Sequence, residues 1–302
     1  MQHLLKYLVD HDYVYHYTKY HDYDDVSDVF WAHPNSIKLF NTFSMVLVLD
    51  STYKTNKYRL PLIEFIGNTS TMKTFYISFA YMMSERQDNV NWALERCHEL
   101  LHPKDLYPKV VVTDRDNALI NVVETVFPNA TTLLCSYHIG QNVRANCRTD
   151  CKVKDLKDMD GEEIKSGSVV KTVMAASMDI VDSETGEAYI DNWNQLKVVC
   201  GKFPKFLEYV EKTILDPVKD KVVKSWVDKA IHMGNTTTNR AESAHARLKK
   251  YLSSSMGDLS TYWKSVHDML ELQHTAIHAS FQTSIIMFEH RFKGKVLWSR
   301  LI

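Results

Sequence analysis

Two carboxylates sit where carboxylates can do chemistry. In "VVVTDRDNALINVVETVFPNA", residues 110–130, a run of valines stops on Asp114. In "SMVLVLDSTYKTN" the run Val46 to Leu49 stops on Asp50. Acids at the ends of buried strands suit a divalent cation. Mg²⁺ takes one or two carboxylates and fills its octahedral shell with water and phosphate oxygens. Two such ions about 3.5–4 Å apart activate an attacking oxygen and stabilise the leaving one in phosphodiester chemistry. The second ion calls for a third acid. Asp at a strand end is also ordinary turn chemistry, so the pair alone leaves both readings open.

A candidate third acid lies in "HMGNTTTNRAESAHARLKKYL", residues 232–252, where a Gly/Asn/Thr loop enters a helix with Glu242 in its first turn. Asn239 followed by Glu242 three residues later is a capping-box variant, in which the Glu serves backbone N–H groups. On the same helix Ala241, Ala244, Leu248 and Leu252 form the apolar face, and Glu242, His245 and Lys249 fall on a neighbouring stripe. That stripe fits a metal ligand beside phosphate contacts, and it fits a solvated face equally well.

The elements that must position these acids read as α/β. "FSMVLVLD" is an apolar run of the kind buried on both faces of a sheet. "YRLPLIEFIGN" and "KTFYISFAYMM" follow across short polar turns, which favours antiparallel pairing. The helix "RQDNVNWALERCHELL", the strand "KVVVTD", the helix "NALINVVETVF" stopped by Pro128, and the apolar run "TTLLCSYHI" complete the order β-β-β-α-β-α-β. Three antiparallel strands followed by two strands reached through helices is the ribonuclease H-like mixed sheet. In such sheets reactive groups gather beyond the carboxyl ends of the parallel strands.

Four segments follow from this reading. Residues 1–40 are an N-terminal helical and connector segment whose "HDYVYHYTKYHDYDDVSDVFW" reads as a partly exposed strand or connector rather than a metal site. Residues 41–142 form the α/β core, 143–235 a helical insertion interrupted by Pro217, and 236–302 C-terminal helices that complete the core.

The totals bound the function. With 302 residues, 45% hydrophobic and 24% charged, the chain has ample material for a core. Its net charge of −1 gives no overall attraction to nucleic acid, so a basic surface has to be local. Five scattered cysteines do not make a disulfide framework and point to a reducing compartment. There is neither a run of ~18 apolar residues nor a secretory signal pattern at the start, which sets the expectation of an intracellular protein without a membrane partner.

Several motifs stand together in order: "LDSTYKTNKYRLPL" (49–62), "NWAL" (91–94), "VVVTDRDNALINVVETVFPNA" (110–130), "LLCSYHIGQNV" (133–143) and "GNTTTNRAESAHARLK" (234–249). Together they resemble the transposase domain of Mutator-like elements (MULE), and "FPKFLEYVEKTILDPVKDKVVKSW" (203–226) resembles that family's helical insertion. The resemblance covers roughly residues 40–255 and implies a ribonuclease H-like fold with a helical insertion before the third acid. It implies an Asp-Asp-Glu triad of Asp50, Asp114 and Glu242 holding two Mg²⁺ or Mn²⁺ ions. It further implies transposon-end and target DNA as partners, a nuclear location in a eukaryote, and room for a homo-oligomer. The family's Cys-x-x-His pair is matched by Cys135 and His138, which would support the active site near Asp114. With Cys147 and Cys151 a zinc site of the pattern C-x2-H-x8-C-x3-C is conceivable, though these two cysteines lie outside the family pattern. Asp116 is either a supporting acid or a helix cap. Lys54, Arg240, His245 and Lys249 are candidate DNA phosphate contacts.

Complete members of the family usually add an N-terminal zinc-chelating DNA-binding domain, and many add a C-terminal SWIM-type finger. Neither pattern occurs in these residues, so the chain reads as a catalytic core. The competing reading is a domesticated, non-catalytic relative acting as a DNA-binding or transcriptional regulator, of the kind represented by the far-red-light response regulators of plants.

Overall fold

The computed structural model describes residues 2–19, 25–52, 56–103, 106–152, 166–238, 240, 243–244, 246, 248 and 259–292. The strands are β1 (Val14–Lys19), β2 (Val26–Ala32), β3 (Val46–Thr52), β4 (Leu62–Asn68), β5 (Thr74–Tyr81), β6 (Val110–Thr113) and β7 (Thr131–Leu134). The helices are α1 (Gln2–Asp10), α2 (Pro34–Thr42), α3 (Gln87–Glu99), α4 (Asn117–Val126), α5 (Ser136–Asp150), α6 (Ser166–Val181), α7 (Gly186–Val199), α8 (Pro204–Tyr209), α9 (Asp216–Val222), α10 (Lys224–Val227) and α11 (Leu259–Phe292). A π-helical turn, Val210–Leu215, joins α8 to α9. The chain divides into two compact units, Met1–Tyr107 with Arg240–Ile302, and Pro108–Asn239. It is α/β, with antiparallel pairing in the first unit and parallel pairing in the second.

In the first unit five antiparallel strands run in the order β1-β2-β5-β4-β3. The expected hairpins of β3, β4 and β5 are present, and the Tyr/His/Asp-rich segment before them supplies two further strands. Among the described residues β1 pairs only with β2, so its polar side chains stay half exposed, whereas β2 is buried from Asp28 onward. Asp28 explains part of that segment's acidity. Its carboxylate accepts from Thr18 Oγ1 at 3.0 Å, Ser27 Oγ at 3.2 Å, the Met83 backbone N–H at 2.8 Å and the Asn89 amide. It therefore ties β1, the end of β5 and α3 together, as a buried charge must be tied.

β4 and β5 are almost continuously buried, as their apolar runs require. Gly67 lies opposite Phe75, and a Cβ there would come within 2.6 Å of the ring, so the aromatic packs directly on the β4 backbone. The β4–β5 register slips between Phe65 and Ile66, and the freed Tyr76 N–H donates to Gln273 Oε1 of α11 at 3.1 Å. α11 buries Leu259, Tyr262, Trp263, Val266, Met269, Leu270, Gln273 and Ile277, one stripe at helical spacing.

In the second unit β6 and β7 are parallel, with Val110 opposite Thr131 and Thr113 opposite Leu134. Four residues alone make β6, and its three valines are fully buried. Each such side chain contributes about 1.5–3 kcal/mol on leaving water. α4 connects the two strands and ends at Phe127, just before Pro128. The expected third apolar run divides. Only Thr131–Leu134 is strand, and "SYHI" already belongs to α5. The remaining helices pack around a core that includes Ile139, Val143, Val173, Ile180, Leu196, Phe206, Ile214 and Val222. Pro217 interrupts the α8–α9 stretch because it has no N–H for the carbonyl four residues back. The π turn precedes it and Val218 leaves helical geometry, at φ −142°.

Candidate active site

Asp114 is the first residue beyond β6, at its carboxyl end, and the chain then turns into α4. The turn is held by Asp116, whose carboxylate accepts from the Leu119 N–H at 2.9 Å and caps α4. Asp114 instead faces α5. Its Oδ1 meets His138 Nδ1 at 2.5 Å, and Thr238 Oγ1 stands 3.5 Å away. The Thr238 hydroxyl also lies 3.3 Å from His138 Nδ1 and 3.1 Å from the buried Cys135 Sγ, which accepts the Thr238 backbone N–H at 3.2 Å. Ser136 adds two bonds to the Thr236 carbonyl. The sulfur and hydroxyls thus fasten Thr236 and Thr238 to the start of α5, beside Asp114.

The side chain of Asp114 remains 36% exposed, and its Oδ2 has no hydrogen-bond partner among the described residues. Partial burial raises its carboxyl above the ordinary range, and His138 and Thr238 pull in the opposite direction. One oxygen is held and the other is open. That is how a carboxylate is prepared to bind something, and Asp114, Cys135 and His138 bring one donor atom each within 4.8 Å of one another.

Asp50 lies in the first unit, within β3 rather than at its end, because the pairing with β4 continues through Ser51 and Thr52. It is buried, at 8% exposure, and stands opposite Glu64 of β4, which is fully buried. Two acids side by side on one sheet face are thus present where the sequence reading named one. The signal was available, since Glu64 is the lone charge in "LIEFIG". Thr238 is the other residue the reading missed. One threonine among three in a polar loop carries no pattern that singles it out.

Arg240 donates to the Met72 carbonyl at 3.1 Å and to Thr74 Oγ1 at 3.4 Å, so its guanidinium is held on the β4–β5 turn. Glu242, Lys54, His245 and Lys249 lie outside the described residues. The four-ligand zinc arrangement is not assembled. Cys135 precedes the first turn of α5 and Cys147 comes twelve residues later, about 18 Å along the helix axis at 1.5 Å per residue. Burial pushes the thiols of Cys147, Cys151 and Cys200 up, that of Cys200 to about 12, so they act as small apolar side chains.

A second group with metal-like donors, His33, Glu271 and His274, lies in the first unit. His33 Nδ1 accepts the Asn35 N–H at 3.1 Å and caps α2. A neutral imidazole with one accepting nitrogen carries its proton on the other. The His33 Nε2–H is therefore given to Glu271 Oε1, at 3.0 Å. Ligating a metal through Nε2 would move the proton to Nδ1 and set N–H against N–H at the cap. In metal centres the outer nitrogen donates instead. His33 and Glu271 thus clasp the start of α2 to α11.

Residues 46–142 match the MULE transposase domain family. Protein FAR1-RELATED SEQUENCE 5 of Arabidopsis thaliana is 30% identical over 116 residues, 38% of this chain and 14% of that protein. Protein FAR1-RELATED SEQUENCE 6 of the same plant is 27% identical over 122 residues, 40% of this chain and 17% of the relative. The PKS-NRPS hybrid synthetase cheA of Chaetomium globosum is 25% identical over 134 residues, 44% of this chain and 3% of that protein. The chain thus spans less than a fifth of the length of these curated relatives. Among solved structures, a chain of the Drosophila P element transposase strand transfer complex aligns with TM-score 0.43 and 9% identity over 78% of this chain and 80% of that one. The stretch that holds Asp50, Asp114, Cys135 and His138 matches the MULE transposase domain, in agreement with the family its motifs resemble.

Proposed function

We propose that the chain is the catalytic core of a DNA strand-cleaving and strand-transferring enzyme of the MULE type, built on a ribonuclease H-like fold. The observation that carries this reading is Asp114, set at the carboxyl end of a parallel strand inside the matching segment, with Oδ1 held by His138 and Oδ2 open. In this reading Asp50, Asp114 and Glu242 are the triad. The loop leading to Glu242 is fastened at Asp114 through Thr238, four residues before it.

The donors fit Mg²⁺ or Mn²⁺ at the oxygens. Asp114 Oδ2 and the Asp50 carboxylate are hard ligands, whereas Cys135 is already engaged by the Thr238 N–H and suits a softer metal. When bound, the ions supply charge neutralisation and an activated oxygen nucleophile. His138 holds Asp114 in one orientation, as second ligand spheres commonly do for carboxylates. Thr238 keeps the ring and carboxylate together. Water attack on the phosphodiester at the transposon end, followed by attack of the freed 3′-hydroxyl on target DNA, is the reaction this arrangement serves.

A second reading, a non-catalytic DNA-binding or transcriptional regulator, is favoured by the matches to the FAR1-RELATED proteins. One experiment separates the two. Terminal-repeat DNA is incubated with Mg²⁺ or Mn²⁺ and either the wild type or Asp114→Asn. Cleavage by the wild type that the variant lacks supports the enzyme. Binding without cleavage by either protein supports the regulator.

A further inference from the structure

We infer that the groove between α5 and α6 is a DNA track, which takes the phosphates of a strand on four cations and presents an aromatic ring at its mouth. The inference rests on the DNA reading above. It does not depend on catalysis.

The groove lies wholly in the second unit and has a volume of about 760 Å³. Arg144, Arg148 and Lys152 stand at i, i+4 and i+8, the last just beyond the end of α5, and Lys171 of α6 lines the same space. All four are exposed, and among the described residues no carboxylate lines the groove and none of the four forms an ion pair. For a chain of net charge −1, this is a concentrated positive surface.

The shape of the charge selects the partner. A single small anion is taken by donors that converge on a point. Here Arg144 and Arg148 stand one turn apart, about 6 Å along α5 at 1.5 Å per residue, and Lys152 follows beyond the helix end, a spread that suits a polymer of phosphates. Met174 and Val170 give the groove an apolar lining, and Tyr137 is 45% exposed at its end. A basic channel with an exposed ring is the combination that holds nucleic acid strands, the ring by stacking on a base. Position gives the final argument. Ser136, which opens α5, also lines the groove, and Tyr137 contacts the His138 ring at 5.6 Å between centroids, so the track begins at the residues that hold Asp114.

The test is fluorescence anisotropy with the full chain in the presence of a chelator, using labelled single-stranded DNA, the matching duplex and RNA of the same sequence. The double variant Arg144→Gln/Arg148→Gln removes two charges from exposed helix positions, and thermal unfolding checks that it remains folded. We expect affinity for DNA to fall roughly tenfold, and the slope of log affinity against log salt to shrink by about 1.4 for single strands or 1.8 for duplex. Unchanged affinity and slope in a folded double variant overturn the inference, as does tighter binding of RNA than of DNA. If no protein cleaves DNA yet the double variant loses binding, the track stands and the catalytic reading falls. If cleavage depends on Asp114 while binding ignores the arginines, the reverse holds.

Discussion

Two clusters among the described residues offer similar donor atoms, yet their histidines are used differently. Asp114, Cys135 and His138 gather at the end of β6, and His33, Glu271 and His274 gather where α2 begins against α11. A donor count does not separate them. The disposition of protons and lone pairs does. In both, a histidine donates to one oxygen of a carboxylate, Asp114 in the first and Glu271 in the second. In the second, both His33 nitrogens are spent, one on the Asn35 N–H and one on Glu271, while His274 Nε2 meets Ser36 Oγ at 3.0 Å. The lesson concerns geometry of use rather than residue type. A histidine that caps a helix through its ring has already chosen its tautomer.

The largest expected effect breaks the comparison at its catalytic side. Asp114→Asn keeps the shape and most hydrogen bonds of the site, but it removes the charge a divalent ion would bind. Mg²⁺- or Mn²⁺-dependent cleavage should fall by on the order of a thousandfold or more. Equal initial rates for variant and wild type would sink the assignment. Removing the metal with a chelator should abolish wild-type cleavage to the same extent.

The next effect belongs to the clasp and depends on pH. Burial, with His33 alongside, lowers the His274 pKa from 6.5 to about 4, and Glu271 opposes that shift. The unfolded chain therefore takes up a proton at a pH where the folded chain does not. Stability from this residue is complete above about pH 6.5 and is lost as pH falls towards 4, by on the order of 3 kcal/mol. Urea unfolding at the two ends of that window should show the loss in the wild type, and His274→Gln should show a shallower one. Identical slopes would mean that His274 is not the titrating group.

Much of the architecture was legible because it rests on patterning. The buried runs of β3 to β6, the helix stopped at Pro128 and the stripe of α11 follow from apolar spacing and chain breakers. β1 and β2 were read only as a partly exposed strand or connector, because their alternating Tyr, His and Asp residues look like solvent-facing loop. Asp28, buried under four hydrogen-bond donors, is the particular residue that composition misrepresents. That Cys135 and His138 lie close to Asp114 was legible from strand ending and motif. Thr238 was not, since its role comes from a contact over 124 residues of separation. Nor could spacing show that Cys147 points to the far end of a helix, where it joins the apolar core.

His138 tests whether Asp114 needs its orienting partner. His138→Gln keeps a donor of similar reach without the fixed ring, and it should lower cleavage by about 10–100-fold, the cost common for losing a partner of a metal ligand. If the ring only orients Asp114, apparent affinity for Mn²⁺ should fall while the pH profile keeps its shape. A changed profile would make His138 a proton carrier instead.

The smallest effect completes the comparison from the structural side. His33→Ala removes the cap of α2 and the bond to Glu271 together. Loss of a cap costs about 1 kcal/mol, and the Glu271 bond adds little because that carboxylate is more than half exposed. His33→Asn should recover most of the loss, since asparagine caps helices well and cannot reach Glu271 in the same way. Zn²⁺ should raise the melting temperature of neither the wild type nor the alanine variant. A metal site would predict the opposite pattern, with zinc stabilising the wild type by RT ln(1 + [L]/Kd) and the asparagine variant losing that gain. Rescue by asparagine together with indifference to zinc is a result only a clasp can give.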